Sequence, residues 1–323
     1  MTLRTAPSRA LVALLALAAL AAPAGAHAKK KLPDIKFQAL AQLQSPSSPT
    51  TDIREPKYLV VPQSGKATGA FSVQLRNTGK EPVKDFGVEV FLRRGEKKVW
   101  SAKREFSVVL PGELRTIGVN GTSKVPLGVY TLVVCADPKD KINEKSDKNN
   151  CGSGGALAVI PEIWKATTLG AFCQPCYRDG TVSTEGLGVQ FKTPFPVELI
   201  PGTRGFVYGA TGTIAETSVN AVNGGSGQGT APLSSSSFLF LSLDLSRFAF
   251  EVIPDEENAD YSVGPGGSTV IETIRNTGPN QEPGAFLDSH DPFARSIEGS
   301  DVDAPSADFH TITSWKLDAL LDQ

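Results

Sequence analysis

Alternating apolar and polar positions are the first pattern along the chain. Phe71, Val73 and Leu75 share one face of an extended segment that runs into the turn Asn77-Thr78-Gly79-Lys80. Phe86, Val88, Val90 and Leu92 alternate before Arg93-Arg94-Gly95-Glu96, Val108 and Leu110 run into Pro111-Gly112, and Tyr130, Leu132 and Val134 form a further set. A closing run covers Ala156 to Ile160. Successive side chains of a strand point to opposite faces, so each run predicts a half-buried antiparallel strand. Short strands closed by turn residues, with no helical spacing between them, predict a two-sheet sandwich over residues 29–160.

Beyond Pro161 the turn signals are denser: Asp179-Gly180, Pro201-Gly202, Asn223-Gly224-Gly225 and Pro265-Gly266-Gly267. Leu187 to Phe191, Gly205 to Tyr208 and Phe238 to Ile253 read as strands between them, with Leu239, Leu241, Leu243 and Leu245 on the better-buried face. The Gly/Ser-rich stretch 223–237 reads as a mobile loop. The fold class expected is therefore all-β, a β-sandwich followed by a second β-rich domain over residues 161–323. Leu75-Arg76-Asn77-Thr78-Gly79 recurs as Ile274-Arg275-Asn276-Thr277-Gly278. The echo marks either a second, divergent sandwich or one turn chemistry used twice.

The N-terminal segment changes the compartment. Arg4 and Arg9 precede a small-apolar run from Ala10 to Ala22, then Pro23 and the triplets Ala24-Gly25-Ala26 and Ala26-His27-Ala28. This order, a charged region, an apolar region and a small-residue cleavage site, predicts a signal peptide over residues 1–28. The apolar run is shorter than the roughly 20 residues of a membrane span, so a secreted protein without an integral membrane segment is expected after cleavage. All four cysteines lie beyond it, and an even number in an exported chain favours disulfides: Cys135 with Cys151, and Cys173 with Cys176.

Net charge of −2 hides a division. Lys29 to Ile160 carries 22 Lys and Arg against 13 Asp and Glu, whereas Pro161 to Gln323 carries 8 against 21. Two oppositely charged halves can dock on each other or attract different partners. In the first half Arg93, Arg94, Lys97, Lys98, Lys103 and Arg104 crowd around Trp100, with Lys98 and Trp100 assigned to one face of the hairpin. Such a surface suits an anionic polymer, an acidic glycan or a headgroup layer; alternatively the charges guard an edge strand against aggregation. Nucleic acid is not expected as a partner of an exported, net-acidic chain.

Val133-Val134-Cys135-Ala136-Asp137-Pro138, followed by Asn143-Glu144-Lys145-Ser146-Asp147-Lys148-Asn149-Asn150-Cys151, carries a family signature. Together with Leu32-Pro33-Asp34-Ile35, the Asn77-Thr78-Gly79 turn and Leu110-Pro111-Gly112, it resembles the bacterial cell-adhesion-related domain, CARDB, over roughly residues 33–160. The resemblance implies an immunoglobulin-like antiparallel sandwich that ends in this hairpin, and an extracellular adhesion role. Ser45 to Pro56 departs from it as a longer first connection.

The remaining candidate chemistry is weaker. Asp137, Asp140, Glu144 and Asp147 offer oxygens for calcium, but Lys139, Lys141, Lys145 and Lys148 interleave with them. Asp255, Glu256, Glu257, Asn258 and Asp260, and Asp288, Asp291, Asp301 and Asp303, are further calcium candidates or solvated loops. No other cofactor is expected. Cys173-Gln174-Pro175-Cys176 has thiol-oxidoreductase spacing but is followed by the turn Tyr177-Arg178-Asp179-Gly180 in place of a helix. Asp288-Ser289-His290-Asp291 sets a nucleophile beside a base, yet strand neighbours face opposite ways, and His310 is the other mature-chain histidine. The function expected is a non-enzymatic, secreted binding or adhesion protein whose partner is a cell-surface polymer, glycan or protein. A hydrolase with its site in the second domain and a structural spacer are the alternatives.

Overall fold

Each alternating run of the first half becomes a strand because its apolar residues meet those of a facing sheet. The computed structural model describes residues 32–43, 57–176, 180–200, 202–219, 224–265, 273–276, 288–306 and 309–322, with backbone alone at 175, 199–200, 303–306 and 309–310. The expected signal peptide, the connection Ser45 to Pro56 and the turn residues Tyr177, Asn223, Gly266 and Gly278 lie outside the described residues. Residues 32–323 form one compact unit.

Eight strands build its first half: β1 (Ile35–Leu43), β2 (Tyr58–Val61), β3 (Lys66–Asn77), β4 (Val83–Arg94), β5 (Lys97–Val109), β6 (Leu114–Lys124), β7 (Gly128–Ala136) and β8 (Cys151–Pro161). They form a three-stranded sheet in the order β1-β3-β6 and a five-stranded sheet in the order β2-β8-β7-β4-β5. All neighbours are antiparallel except β2, which runs parallel to β8. Phe71, Val73 and Leu75 of one sheet and Phe86, Val88, Val90, Leu92, Leu132 and Val134 of the other are all fully buried in one cluster. This is the immunoglobulin-like sandwich expected. One face differs: Val109, opposite Val83, enters the core, while Val108 and Leu110 are exposed, because the register of β4 with β5 sets which residue faces inward.

The second half is a larger antiparallel sheet: β9 (Ile163–Cys176), β10 (Gly180–Ile200), β11 (Thr203–Val219), β12 (Ser226–Pro232), β13 (Phe238–Ser242), β14 (Arg247–Val252), β15 (Asp260–Val263), β16 (Ile274–Arg275), β17 (Asp288–Ser289), β18 (Ser296–Ser306) and β19 (Phe309–Ala319). Its main path is β16-β14-β13-β11-β10-β9-β19-β18, with β12, β15 and β17 attached beside it. Two segments differ from what the sequence pattern predicts. The Gly/Ser-rich stretch 223–237 is not a loop throughout: Ser226–Pro232 pairs with β11 on one side and β15 on the other, so backbone hydrogen bonds supply the order that its small side chains do not. The Phe238–Ile253 run is a hairpin, not one strand. Asp244 accepts from Ser242 Oγ and Ser246 N, Leu245 takes a positive φ of 56°, and Leu239 and Phe240, on opposite faces, are both buried.

Side chains from both halves share packing. Tyr58 meets Phe206 at 5.1 Å between ring centroids, Tyr208 Oη donates to the Pro161 carbonyl, and Ala158 and Ile160 belong to the second apolar cluster. Phe293 reaches the first cluster, 5.9 Å from the Tyr130 ring and under the Arg94 guanidinium at 3.6 Å. Gly128, at φ 135°, makes room for it, since a Cβ there would collide with the Phe293 ring. Phe293→Ala is expected to lower unfolding stability by about 2 kcal/mol, through lost aromatic and cation–π contact, in a urea melt of the full chain. An unchanged midpoint would show that this contact carries no weight.

Candidate functional site

The β4–β5 hairpin holds all six basic candidates at exposed positions, and their partners differentiate them. Lys98 Nζ lies 2.7 Å and Lys103 Nζ 3.5 Å from Glu89 Oε1. Arg104 donates to the Gly118 carbonyl at 2.8 Å, and Arg94 stacks on Phe293. Arg93 and Lys97, beside the turn, make no ion pair among the described residues. The assignment of Lys98 to the face of Trp100 is corrected: an irregularity after Leu92 pairs Arg93 with Lys98 while Leu92 pairs with Trp100. Trp100 therefore enters the core, and Lys98 turns outward over the Phe91 ring at 4.3 Å. Sequence reasoning missed Glu89, which is 3 % exposed although it sits on the outward face. The available signal was its place as a single acid between Val88 and Val90 in a basic hairpin.

The hairpin loop after β7 is stapled by the Cys135–Cys151 disulfide, as expected. Closing a loop of 16 residues stabilises the fold by about 3 kcal/mol in the chain-entropy view. Carboxylates tie this loop to itself and to the start of β1. Asp137 Oδ2 accepts from Ile142 N at 2.7 Å, and Asp34 accepts from Thr78 Oγ1 and Asn149 Nδ2. Glu144 takes Ile35 N and Asn150 Nδ2. Burial, with Asp137 and Asp34 nearby, pushes the Glu144 carboxyl up to about 7, against the lowering effect of these two hydrogen bonds. Asp140 and Asp147 are exposed.

The second-half candidates are dispersed over their own loops. Asp255 Oδ2 accepts from Asn258, with Glu256 and Glu257 on a short 3-10 turn and Asp260 opening β15. Asp288 accepts from Asn276, Asp291 from Phe293 N and Asp301 from Val302 N; the Asp303 and His310 side chains lie outside the described residues. Among the described residues no group of three or more His, Cys, Asp or Glu is arranged to hold a metal ion. His290 packs edge-on between Trp164 and Phe248, and burial lowers its pKa. Cys173 and Cys176 are joined as a disulfide at the end of β9. No helix among the described residues is long and apolar enough to cross a membrane.

The comparisons with known proteins meet this geometry in the first half. Residues 59–154 match the CARDB family model. That CARDB segment contains the basic hairpin, the disulfide and the acidic loop. Two solved CARDB domain structures from Pyrococcus furiosus are similar to the chain. One is a crystal structure described as a complex with di-metal ions, 16 % identical, covering 41 % of this chain and 97 % of its own, with a TM-score of 0.27. The other is a solution NMR structure, 15 % identical, covering 40 % and 97 %, with a TM-score of 0.28. No curated protein matches the sequence significantly.

Proposed function

We propose that the chain is an exported, non-catalytic binding protein of adhesion type, which recognises an anionic cell-surface polymer through the β4–β5 hairpin of its CARDB segment. The observation that carries the reading is the hairpin's exposed basic tip, where Arg93 and Lys97 stand beside the turn without an ion-pair partner among the described residues. Cations held on a rigid hairpin meet a polyanion with little conformational loss, and association is steered by their field. The two disulfides suit an oxidising, extracellular setting, as does the reading of residues 1–28 as a signal peptide. A non-catalytic role is supported by the engagement of the one triad-like sequence. The His290 ring is held between Trp164 and Phe248, and Asp288 is held by Asn276.

Reversing the two tip charges tests the reading. In the full chain, Arg93→Glu with Lys97→Glu is expected to weaken capture on polygalacturonate or anionic vesicles by about tenfold or more, at about 1 kcal/mol per charge near an anionic surface. Equal capture by the parent and the variant would refute the hairpin as the binding surface.

A further inference from the structure

The outer face of the five-stranded sheet carries a groove of about 310 Å³ whose chemistry is opposite to that of the tip. Phe91 and the Cys135–Cys151 disulfide line it, together with Glu89, Asp140, Asp147 and Lys98. Asn150 also lines it, is 5 % exposed, and leaves its Oδ1 without a hydrogen-bond partner. The volume lies at the lower end of the about 300–1,000 Å³ typical of small-ligand sites. With Asp137, four of the lining side chains are carboxylates against one ammonium, so an acidic hollow sits within the basic half of the chain.

One position in the groove is already filled by an ammonium group. Lys98 Nζ lies 2.7 Å from Glu89 Oε1 and 4.3 Å from the Phe91 ring centroid, a carboxylate and an aromatic face converging on one cation. Glu89 is 3 % exposed, and a buried carboxylate is strongly disfavoured without a counter-charge, which Lys98 and, at 3.5 Å, Lys103 supply. The Lys98 side chain is itself 44 % exposed, so its stem is free to swing away into solvent. Asp140 and Asp147 are exposed, and Asn150 Oδ1 is a buried acceptor without a hydrogen-bond partner in the groove lining.

The geometry points to a binding site for a primary ammonium on an aliphatic stem, the chemistry of a lysine side chain, which Lys98 occupies in the free protein. The incoming ammonium takes over Glu89 and the Phe91 face as Lys98 withdraws, and its stem lies against the ring and the disulfide. Asp140 and Asp147 attract it into the groove. This site is separate from the polyanion surface proposed above, except that Lys98 belongs to both.

The test is an NMR titration of the full chain with Nα-acetyl-lysine methylamide, using Nα-acetyl-norleucine methylamide as the control without the charge. Saturable shifts at Phe91, Asp147 and Asn150 with the lysine probe alone are expected. Asp147→Asn should weaken the binding several-fold, and Lys98→Ala should tighten it several-fold by removing the nearer of the two internal competitors, Lys103 remaining at 3.5 Å from Glu89. No saturable shift, equal shifts with both probes, or weakening in Lys98→Ala would overturn the proposal, as would calcium saturating the same residues when the lysine probe does not. Arg93→Glu with Lys97→Glu, at residues outside the groove lining, removes polyanion capture and leaves the lysine-probe shifts in place, so the two readings fail separately.

Discussion

Replacing Asn77 by alanine is expected to lower the stability of the chain by about 3–4 kcal/mol in urea or heat unfolding. The side chain is fully buried and spends its whole hydrogen-bonding capacity. Its Oδ1 accepts from Asp34 N at 3.3 Å and Gly79 N at 2.9 Å, and its Nδ2 donates to the carbonyls of Glu81 at 2.8 Å and Val109 at 3.1 Å. It thus joins the entry to β1, the turn after β3 and the end of β5, across both sheets. Alanine leaves these backbone groups short of a partner, at about 1–3 kcal/mol for each that water cannot reach. Asn276, its counterpart in the repeated sequence, accepts from Phe250 N and donates to Asp288, so Asn276→Ala should cost roughly half as much. A loss below about 1 kcal/mol in Asn77→Ala would contradict its role as the pin between sheets.

The second large effect is a pH dependence centred on Glu144. Its carboxyl rises from 4.5 to about 7, chiefly through burial, so the folded state favours the neutral acid. The sign follows from linkage. The stabilising contribution is fully present below pH 4.5, the unfolded value, and is lost as pH rises through about 7. For this one group the loss amounts to about 3 kcal/mol. Glu144→Gln stays neutral throughout, and its carbonyl oxygen can still accept from Ile35 N. The variant should therefore show a flatter stability profile across this window and match or exceed the parent above pH 7. Parallel profiles for the two proteins would show that Glu144 is not the titrating group.

The sequence made much of the first half legible because alternation reports one buried face, and Phe71, Val73, Leu75, Val88, Val90 and Leu92 all enter the core where the pattern places them. It failed where register decides. The irregularity after Leu92 turns Lys98 away from Trp100, and Val109 replaces Val108 on the inner face. Both depend on the partner strand, which period-two reading does not contain. The strand Ser226–Pro232 was hidden for a related reason: its Gly and Ser residues show no apolar face, and its order comes from pairing with β11 and β15. The basic residues of the candidate site were visible as a cluster, whereas their differing commitments to Glu89, Gly118 and Phe293 required the fold. The lysine-like groove was invisible, since Phe91, Asp147 and Asn150 meet only when β4 and β7 pair.

The most direct test of the central claim is capture of the full chain on an immobilised acidic glycan at about 0.01 M and about 1 M salt, where the screening length falls from about 30 Å to 3 Å. Firm capture at low salt, release at high salt, and loss of the low-salt capture when Arg93 and Lys97 are both changed to glutamate are expected. Capture that survives high salt, or that persists in the charge-reversed variant, would contradict recognition of an anionic polymer by the β4–β5 hairpin.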